Sequence, residues 1–298
     1  MTWYHSPPSN RYGEKGTFSS MTSHTKFEIT FWGVRGSVPT PAPHTRKYGG
    51  NTPCLEVRAG NNLLLIDAGT GICRFTERLI QAQNQGLDIT ILLSHTHWDH
   101  IQGLPFFKLA FNPANNIKVY GPKRAGFTLR SCLEAAMTPP NFPVPFDLLA
   151  GIKQVNEVEP GATIELDDLK IHTAELNHPN GSIGFRLEHD GKSLAYCLDH
   201  EHDEQDDVHH GLSKLAQDAD VLIFDAAYSD EDYPKFKGWG HSTWQVGYKT
   251  ARQLNVKNLV LSGFNPDLSD DDLDKIALAT KEMQGNTIVA VEGESLTL

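Results

Sequence analysis

The stretch Ile89-Thr90-Ile91-Leu92-Leu93-Ser94-His95-Thr96-His97-Trp98-Asp99-His100 decides how this chain is read. Its first five residues are apolar or β-branched and predict a buried strand. The last six positions hold four potential metal ligands, His95, His97, Asp99 and His100. A strand that ends near Ser94 lets the following turn carry several of these side chains into one cleft. Imidazoles bind metal as neutral nitrogen donors, and Asp99 adds a hard anionic oxygen. Neither group needs a redox-active cofactor. Strand, spacing and ligand type agree, which a polar loop with chance histidines would not produce.

Working outward, the pattern of strands ending in polar residues recurs. Leu63 to Ile66 predicts a buried strand that stops at Asp67, followed by Ala68-Gly69-Thr70-Gly71. A helix is predicted from Ile72 to about Gln83, with Ile72, Phe75, Leu79 and Ile80 on one face. Lys26 to Trp32 is the first convincing strand, and Ile117 to Tyr120 is another, stopped by Gly121-Pro122. Residues 138–146, Thr-Pro-Pro-Asn-Phe-Pro-Val-Pro-Phe, exclude regular helix or central strand. This stiff loop either covers a site with Phe142, which could then contact a substrate, or tucks Phe142 and Phe146 into the core.

In the C-terminal half, strands are predicted at Thr163–Leu166, Leu169–Thr173, Ile183–Glu188, Ser193–Leu198, Val221–Phe224, Leu259–Leu261 and Thr287–Val291. A helix should run from Ser242 or Thr243, one of them its N-cap, to about Leu254. Residues 268–283 read as a helix whose first turn, Asp270 to Asp272, suits the helix dipole. Several strands followed by helices in each half predict two mixed sheets packed face to face with helices outside. His178 falls in a turn between two strands, and Asp199 directly follows the strand Ser193–Leu198. Functional side chains concentrate at such element ends.

Composition narrows the class. The chain has 298 residues, of which 39% are hydrophobic and 21% charged, as in an ordinary globular protein. No apolar run approaches the roughly 20 residues needed to span a bilayer. Residues 1–24 are rich in Ser, Pro, Gly and Tyr and read as a tail ahead of one domain over 25–298; Met21 offers an alternative start. Cys54, Cys73, Cys132 and Cys197 form no Cys-x-x-Cys pair, and without a secretory signal they predict a reducing, cytoplasmic setting. The net charge of -11 disfavours extended nucleic acid unless a basic stripe offsets it, and the closest cluster is only Lys123-Arg124 with Arg130.

The chain resembles the metallo-β-lactamase superfamily, in its ribonuclease Z-like and cyclic-nucleotide phosphodiesterase-like branch. The resemblance rests on Phe31-Trp32-Gly33-Val34-Arg35-Gly36-Ser37, Tyr48-Gly49-Gly50-Asn51-Thr52, Ile66 to Gly71, His95 to His100, His178, Asp199 and Gly238-Trp239-Gly240-His241-Ser242-Thr243. These cover residues 27–298 and are far more specific for fold and metal chemistry than for substrate. The resemblance implies an αββα sandwich with the site at one edge of both sheets. It implies two divalent ions, zinc first and manganese or iron otherwise. His95, His97 and His178 would hold one, Asp99 and His100 the other, and Asp199 would bridge them. Asp67 would orient ligands.

One position departs from that pattern. The family's last His usually follows the strand that here reads Leu259-Val260-Leu261, and Gly263 and Phe264 stand in its place. Either His200, His202 or His241 substitutes, or water fills the place, or the second ion is bound weakly.

In ribonuclease Z-like enzymes, the residue matching His241 sits near the scissile phosphate. His241 is therefore expected to protonate the leaving oxygen, with Asp225 orienting it and Ser242 and Thr243 beside the substrate. The resemblance implies attack by a metal-bound hydroxide on phosphorus. The acidic surface and the lack of a long basic insertion point to a small phosphodiester, best a cyclic nucleotide. A tRNA 3′-end endonuclease is the alternative, and a nucleotide-binding protein with an impaired second metal site is the non-enzymatic one. Relatives in this branch commonly pair, so a homodimer is expected.

Overall fold

The computed structural model describes residues 27–82, 86–203, 208–283 and 286–298. The expected tail over 1–24 lies outside them. The chain forms two seven-stranded sheets. The first contains β1 (Phe27–Gly33), β2 (Cys54–Ala59), β3 (Asn62–Ile66), β4 (Asp88–Leu92), β5 (Asn116–Pro122) and β6 (Ile152–Val158). The second contains β7 (Thr163–Leu166), β8 (Leu169–Leu176), β9 (Ser182–His189), β10 (Lys192–Cys197), β11 (Val221–Asp225), β12 (Asn258–Ser262) and β13 (Asn286–Val289). The last strand, β14 (Ser295–Thr297), returns to pair with β1 at the edge of the first sheet.

Each sheet changes from antiparallel to parallel pairing part-way across. β1 to β3 are antiparallel and β3 to β6 parallel; β7 to β10 are antiparallel and β10 to β13 parallel. The parallel strands read as continuous apolar runs, such as Val221-Leu222-Ile223-Phe224, because both of their faces are covered. Between the sheets lies one core that joins Phe31, Val57, Leu64 and Ile66 to Phe185, Tyr196 and Phe224. Each such buried side chain contributes roughly 1.5–3 kcal/mol. A second core fills the outer face of the first sheet under α1 (Gly71–Gln81) and α3 (Leu129–Ala136). On the second sheet, α4 (His210–Ala216) packs on β8 to β10, α5 (Trp244–Gln253) on β11 and β12, and α6 (Asp270–Glu282) on β13. This is the αββα sandwich. No helix among the described residues is long and apolar enough to cross a membrane.

Several local expectations need correction. Ile80 is exposed, because Ile72, Phe75 and Leu79 fill the inner face of α1 and Ile80 lies a further 100° round. β5 does not stop before Gly121-Pro122 but runs through both, where Pro122 pairs with Val158 at the end of the strand. A proline is tolerated there because its missing N–H falls at the strand's end. Phe146 joins the second core, and Phe142 meets the ring of Phe106 edge-on at 5.6 Å. The Pro-rich loop thus packs Phe146 in the core and leaves Phe142 partly buried against it.

Candidate metal centre

The candidate site residues sit at the carboxyl ends of parallel strands, the edge at which open α/β sheets collect ligands. Asp67 follows β3, the Ser94–His100 segment follows β4, Asp199 follows β10, Asp225 ends β11 and Gly263 follows β12. His178 comes from the β8–β9 turn. Asp67 and Asp199 take up the left-handed backbone region, with φ of 63° and 52°. Asp tolerates this conformation better than most residues, and the bend breaks the extended run at the end of each strand.

His95, His97, His178 and Asp199 each bring one donor atom within 4.8 Å of the others. Asp99, His100 and Asp199 form a second such group, so Asp199 belongs to both. The hydrogen bonds of the ring nitrogens decide which donors are available. His100 Nδ1 donates to Asp67 Oδ2 at 2.8 Å, and His178 Nδ1 donates to the Gly240 carbonyl at 2.7 Å. Each ring, when neutral, therefore has its bare lone pair at Nε2. Ser94 Oγ lies 3.0 Å from Asp67 and from His95 Nδ1. With its proton given to Asp67, the hydroxyl accepts from His95 Nδ1 and leaves that Nε2 bare as well. His95 Nε2 and His100 Nε2 are buried without a hydrogen bond and face Asp199 at 3.5 and 3.1 Å. Buried orphan nitrogens converging on a carboxylate fit a metal ion.

Charge points the same way. Burial and then His100 hold His95 well below the imidazole range, and burial and then His178 depress His97. At His100, burial opposes a charge, but Asp199, Asp99 and Asp67 outweigh it and hold the pKa well above the usual range. Asp199 is also penalised by burial, yet His100 and His241 keep it well below the normal carboxylate range. The clustered carboxylates demand positive charge where neutral imidazoles supply lone pairs. Divalent cations satisfy both.

The supporting residues were only partly foreseen. Asp67, fully buried, accepts from the Ser94 backbone and hydroxyl, His100 and the Tyr196 hydroxyl at 2.7–3.0 Å. The Ser37 N–H holds Asp99 Oδ2 at 2.7 Å. Glu201 accepts from Tyr233, Gly238 N and Gly240 N at 2.6–2.8 Å and so fixes the loop that carries His241. Ser94, Tyr196, Ser37 and Glu201 carried no signal beyond their neighbours in sequence. Gly240 has φ +91°, and a Cβ there would come within 2.3 Å of His178 Nδ1, so only glycine lets its carbonyl take that proton.

His241 Nδ1 meets Asp225 Oδ2 at 2.7 Å, and the ring reaches within 4.8 Å of Asp199 in a third group. Against its burial, Asp225 and then Asp199 push the pKa of His241 up to about 9. Ser242 and Thr243 correct an expectation. Both are fully buried; Ser242 Oγ donates to His200 O at 2.6 Å, and Thr243 Oγ1 caps α5 by accepting from Val246 N. Their hydroxyls hold the His241 loop and are not turned to the cleft. Of the three substitutes for the missing His, His200 Nδ1 accepts from Asn177 N and the His202 ring lies 4.3 Å from Tyr233. Neither joins a donor group among the described residues.

A family model described as a beta-lactamase superfamily domain matches residues 62–264, and the chain belongs to this superfamily. Ribonuclease Z of Archaeoglobus fulgidus is 26% identical over 91% of this chain and 97% of its own. The structure of YhfI from Bacillus subtilis, a metallo-beta-lactamase fold protein, superposes with a TM-score of 0.68 at 17% identity, covering 92% and 100% of the two chains. Human tRNase Z, short form, gives 0.64 at 22% identity, covering 90% and 98%. Both structures share the fold. Fold, family and donor set together make the chain a metal-dependent hydrolase that uses divalent ions.

Proposed function

We propose that this protein is a phosphodiesterase that cleaves RNA in the manner of ribonuclease Z. The pairing of His241 with Asp225 beside the shared Asp199 carries this reading. A phosphodiester needs a proton at its departing sugar oxygen, and His241, held by Nδ1, keeps Nε2 for that oxygen. Thioester or lactam hydrolysis would leave this dyad without a task. Curated relatives named ribonuclease Z align over most of both chains, which moves RNA ahead of the cyclic nucleotide favoured on charge alone.

His95, His97, His178 and Asp199 would hold one ion and Asp99, His100 and Asp199 the other, with zinc the first candidate. When bound, such ions polarise a phosphoryl oxygen and lower the pKa of water. The protein's own part is to fix the tautomers through Asp67, Ser94 and Gly240, and to hold a proton at His241. Two copies would pair near the site, which light scattering of the purified protein tests.

A small phosphodiester remains the second reading, because a net charge of -11 opposes long polyanions. Metal-replete protein should be assayed on precursor tRNA with a 3′ trailer, on cyclic mononucleotides and on cyclic dinucleotides. Cleavage of the trailer with salt-dependent binding supports the first reading. Turnover of only the cyclic substrates establishes the second, and binding without any turnover would leave a nucleotide-binding protein.

A further inference from the structure

Two tryptophans stand beside the metal centre and are exposed to solvent. Trp98 lies between His97 and Asp99 and is 64% exposed; Trp239 lies two residues before His241 and is also 64% exposed. Single exposed apolar residues are common and need no explanation. These two differ in being chain neighbours of donor-group residues, Trp98 in the segment after β4 and Trp239 in the loop that carries His241. Trp98 opens the short helix α2 (Trp98–Ile101), whose next three residues are all buried, so the indole takes the outward position. The two segments are tied by His178, whose Nδ1 donates to Gly240 O while its Nε2 lies 3.1 Å from His97 Nδ1.

The loop that carries Trp239 is well fixed. Trp239 meets Phe236 edge-on at 5.5 Å, Phe236 stacks flat on Tyr228 at 4.4 Å, and the Tyr228 ring reaches the edge of His241 at 6.1 Å. An aromatic row thus runs from His241 out to the surface. Glu201 pins the glycines on both sides of Trp239. Exposed indoles beside a phosphodiester site have one obvious chemical partner. Nucleobases stack on aromatic rings, and stacking needs no positive charge. That matters in a chain of net charge -11, whose overall charge repels a polyanion.

We infer that Trp98 and Trp239 clamp the bases on either side of the scissile phosphodiester, so the preferred substrate contains at least a single-stranded dinucleotide. The inference rests on the phosphodiesterase reading above and sharpens it, since a cyclic mononucleotide offers only one base.

The test uses the full-length, zinc-loaded protein and ApA joined by an uncleavable methylphosphonate. Tryptophan emission should be quenched on titration with this probe, less tightly with AMP, and not at all with ribose 5-phosphate. Trp98→Ala and Trp239→Ala should each weaken probe binding roughly tenfold, as expected for the loss of one base stack. Trp98→Phe and Trp239→Phe should recover most of it, with metal content unchanged throughout. Equal affinity for the dinucleotide and for ribose 5-phosphate would overturn the clamp. So would alanine variants that bind the probe as wild type does, including variants that only dissociate a dimer. The two readings fail separately. A protein that binds the probe through both indoles but hydrolyses no phosphodiester refutes the phosphodiesterase reading. Hydrolysis that neither alanine variant affects refutes the clamp.

Discussion

The two sheets furnish the candidate metal centre in different ways. From the first sheet, four candidate donors arrive in one loop after β4, and two of them share one buried support, Asp67, which holds His100 directly and His95 through Ser94. From the second, His178, Asp199 and His241 arrive from separate strand ends and loops, each with its own support. Gly240 O fixes His178, a left-handed turn carries Asp199, and Asp225 holds His241. A shared support makes the first region cooperative, because one substitution disturbs two ligands. Separate supports make the second region modular, so one donor can be absent, as at Gly263, while the others stay in place.

The sharpest way to break this comparison is at Asp199, the one residue in both donor groups and in the His241 group. Asp199→Ala should lose both equivalents of metal by elemental analysis and all measurable phosphodiesterase activity. His97→Ala should strip only the first group and cost less. If Asp199→Ala keeps its metal, the two groups do not share a ligand and the geometry has been misread. His241→Ala comes next. Its metal content should stay at the wild-type level while kcat falls roughly 10²–10⁴-fold, the usual worth of a positioned proton donor. Asp225→Asn should lower kcat less, because the ring remains but its tautomer is no longer enforced. Metal loss in His241→Ala would instead make His241 the missing ligand and end its role as proton donor.

Asp67→Asn tests the shared support. Partners that orient ligands are typically worth 10–100-fold in metal affinity or activity. Here the loss should reach both ions, because His95 and His100 belong to different groups. Competition with a chromogenic chelator measures it. Should only one equivalent weaken, the first region is as modular as the second.

The same contrast explains what could be read from sequence. Ser94 to His100 is contiguous, so its candidate ligands are visible with no knowledge of the fold. His178 and Asp199 showed only as polar residues at strand ends, and became convincing through resemblance. Most strands were legible because parallel, doubly covered strands are plain apolar runs. The missed ones lack that signature: β2 interrupts its apolar residues with Glu56 and Arg58, β6 carries Lys153, Gln154, Asn156 and Glu157 among few apolar residues, and β14 has three residues on an edge. Ser242 and Thr243 were misread as substrate contacts because sequence places them beside His241 but does not say where their hydroxyls turn. Glu201 was invisible for a similar reason. It acts across 37 and 39 residues on backbone N–H groups, and no side-chain pattern marks such partners.

Gly263 gives the smallest and most local test. Its φ is +73°, and a Cβ there would lie 3.6 Å from Leu198 Cδ2, an ordinary contact beside Asp199. Space is therefore present, but the backbone is left-handed, which costs an ordinary residue about 1–2 kcal/mol. The loop cannot easily relax, because buried Arg35 donates to Leu268 O at 2.6 Å and to Gly49 O at 2.9 Å, and Phe264 is locked into the core. Gly263→Ala reports that strain alone, as a fall in stability of about this size by denaturant unfolding. Gly263→His should show the same fall and, in addition, hold the second equivalent of metal several-fold more tightly than Gly263→Ala. The wild type should lose its metal to a chelator in two phases, with the group of Asp99, His100 and Asp199 emptied first, because it has fewer protein ligands. A single tight phase in the wild type would mean that the second group is already complete. Equal metal affinity in the two variants would mean that the loop after β12 faces away from the ion, and that the modularity of the second region does not extend to position 263.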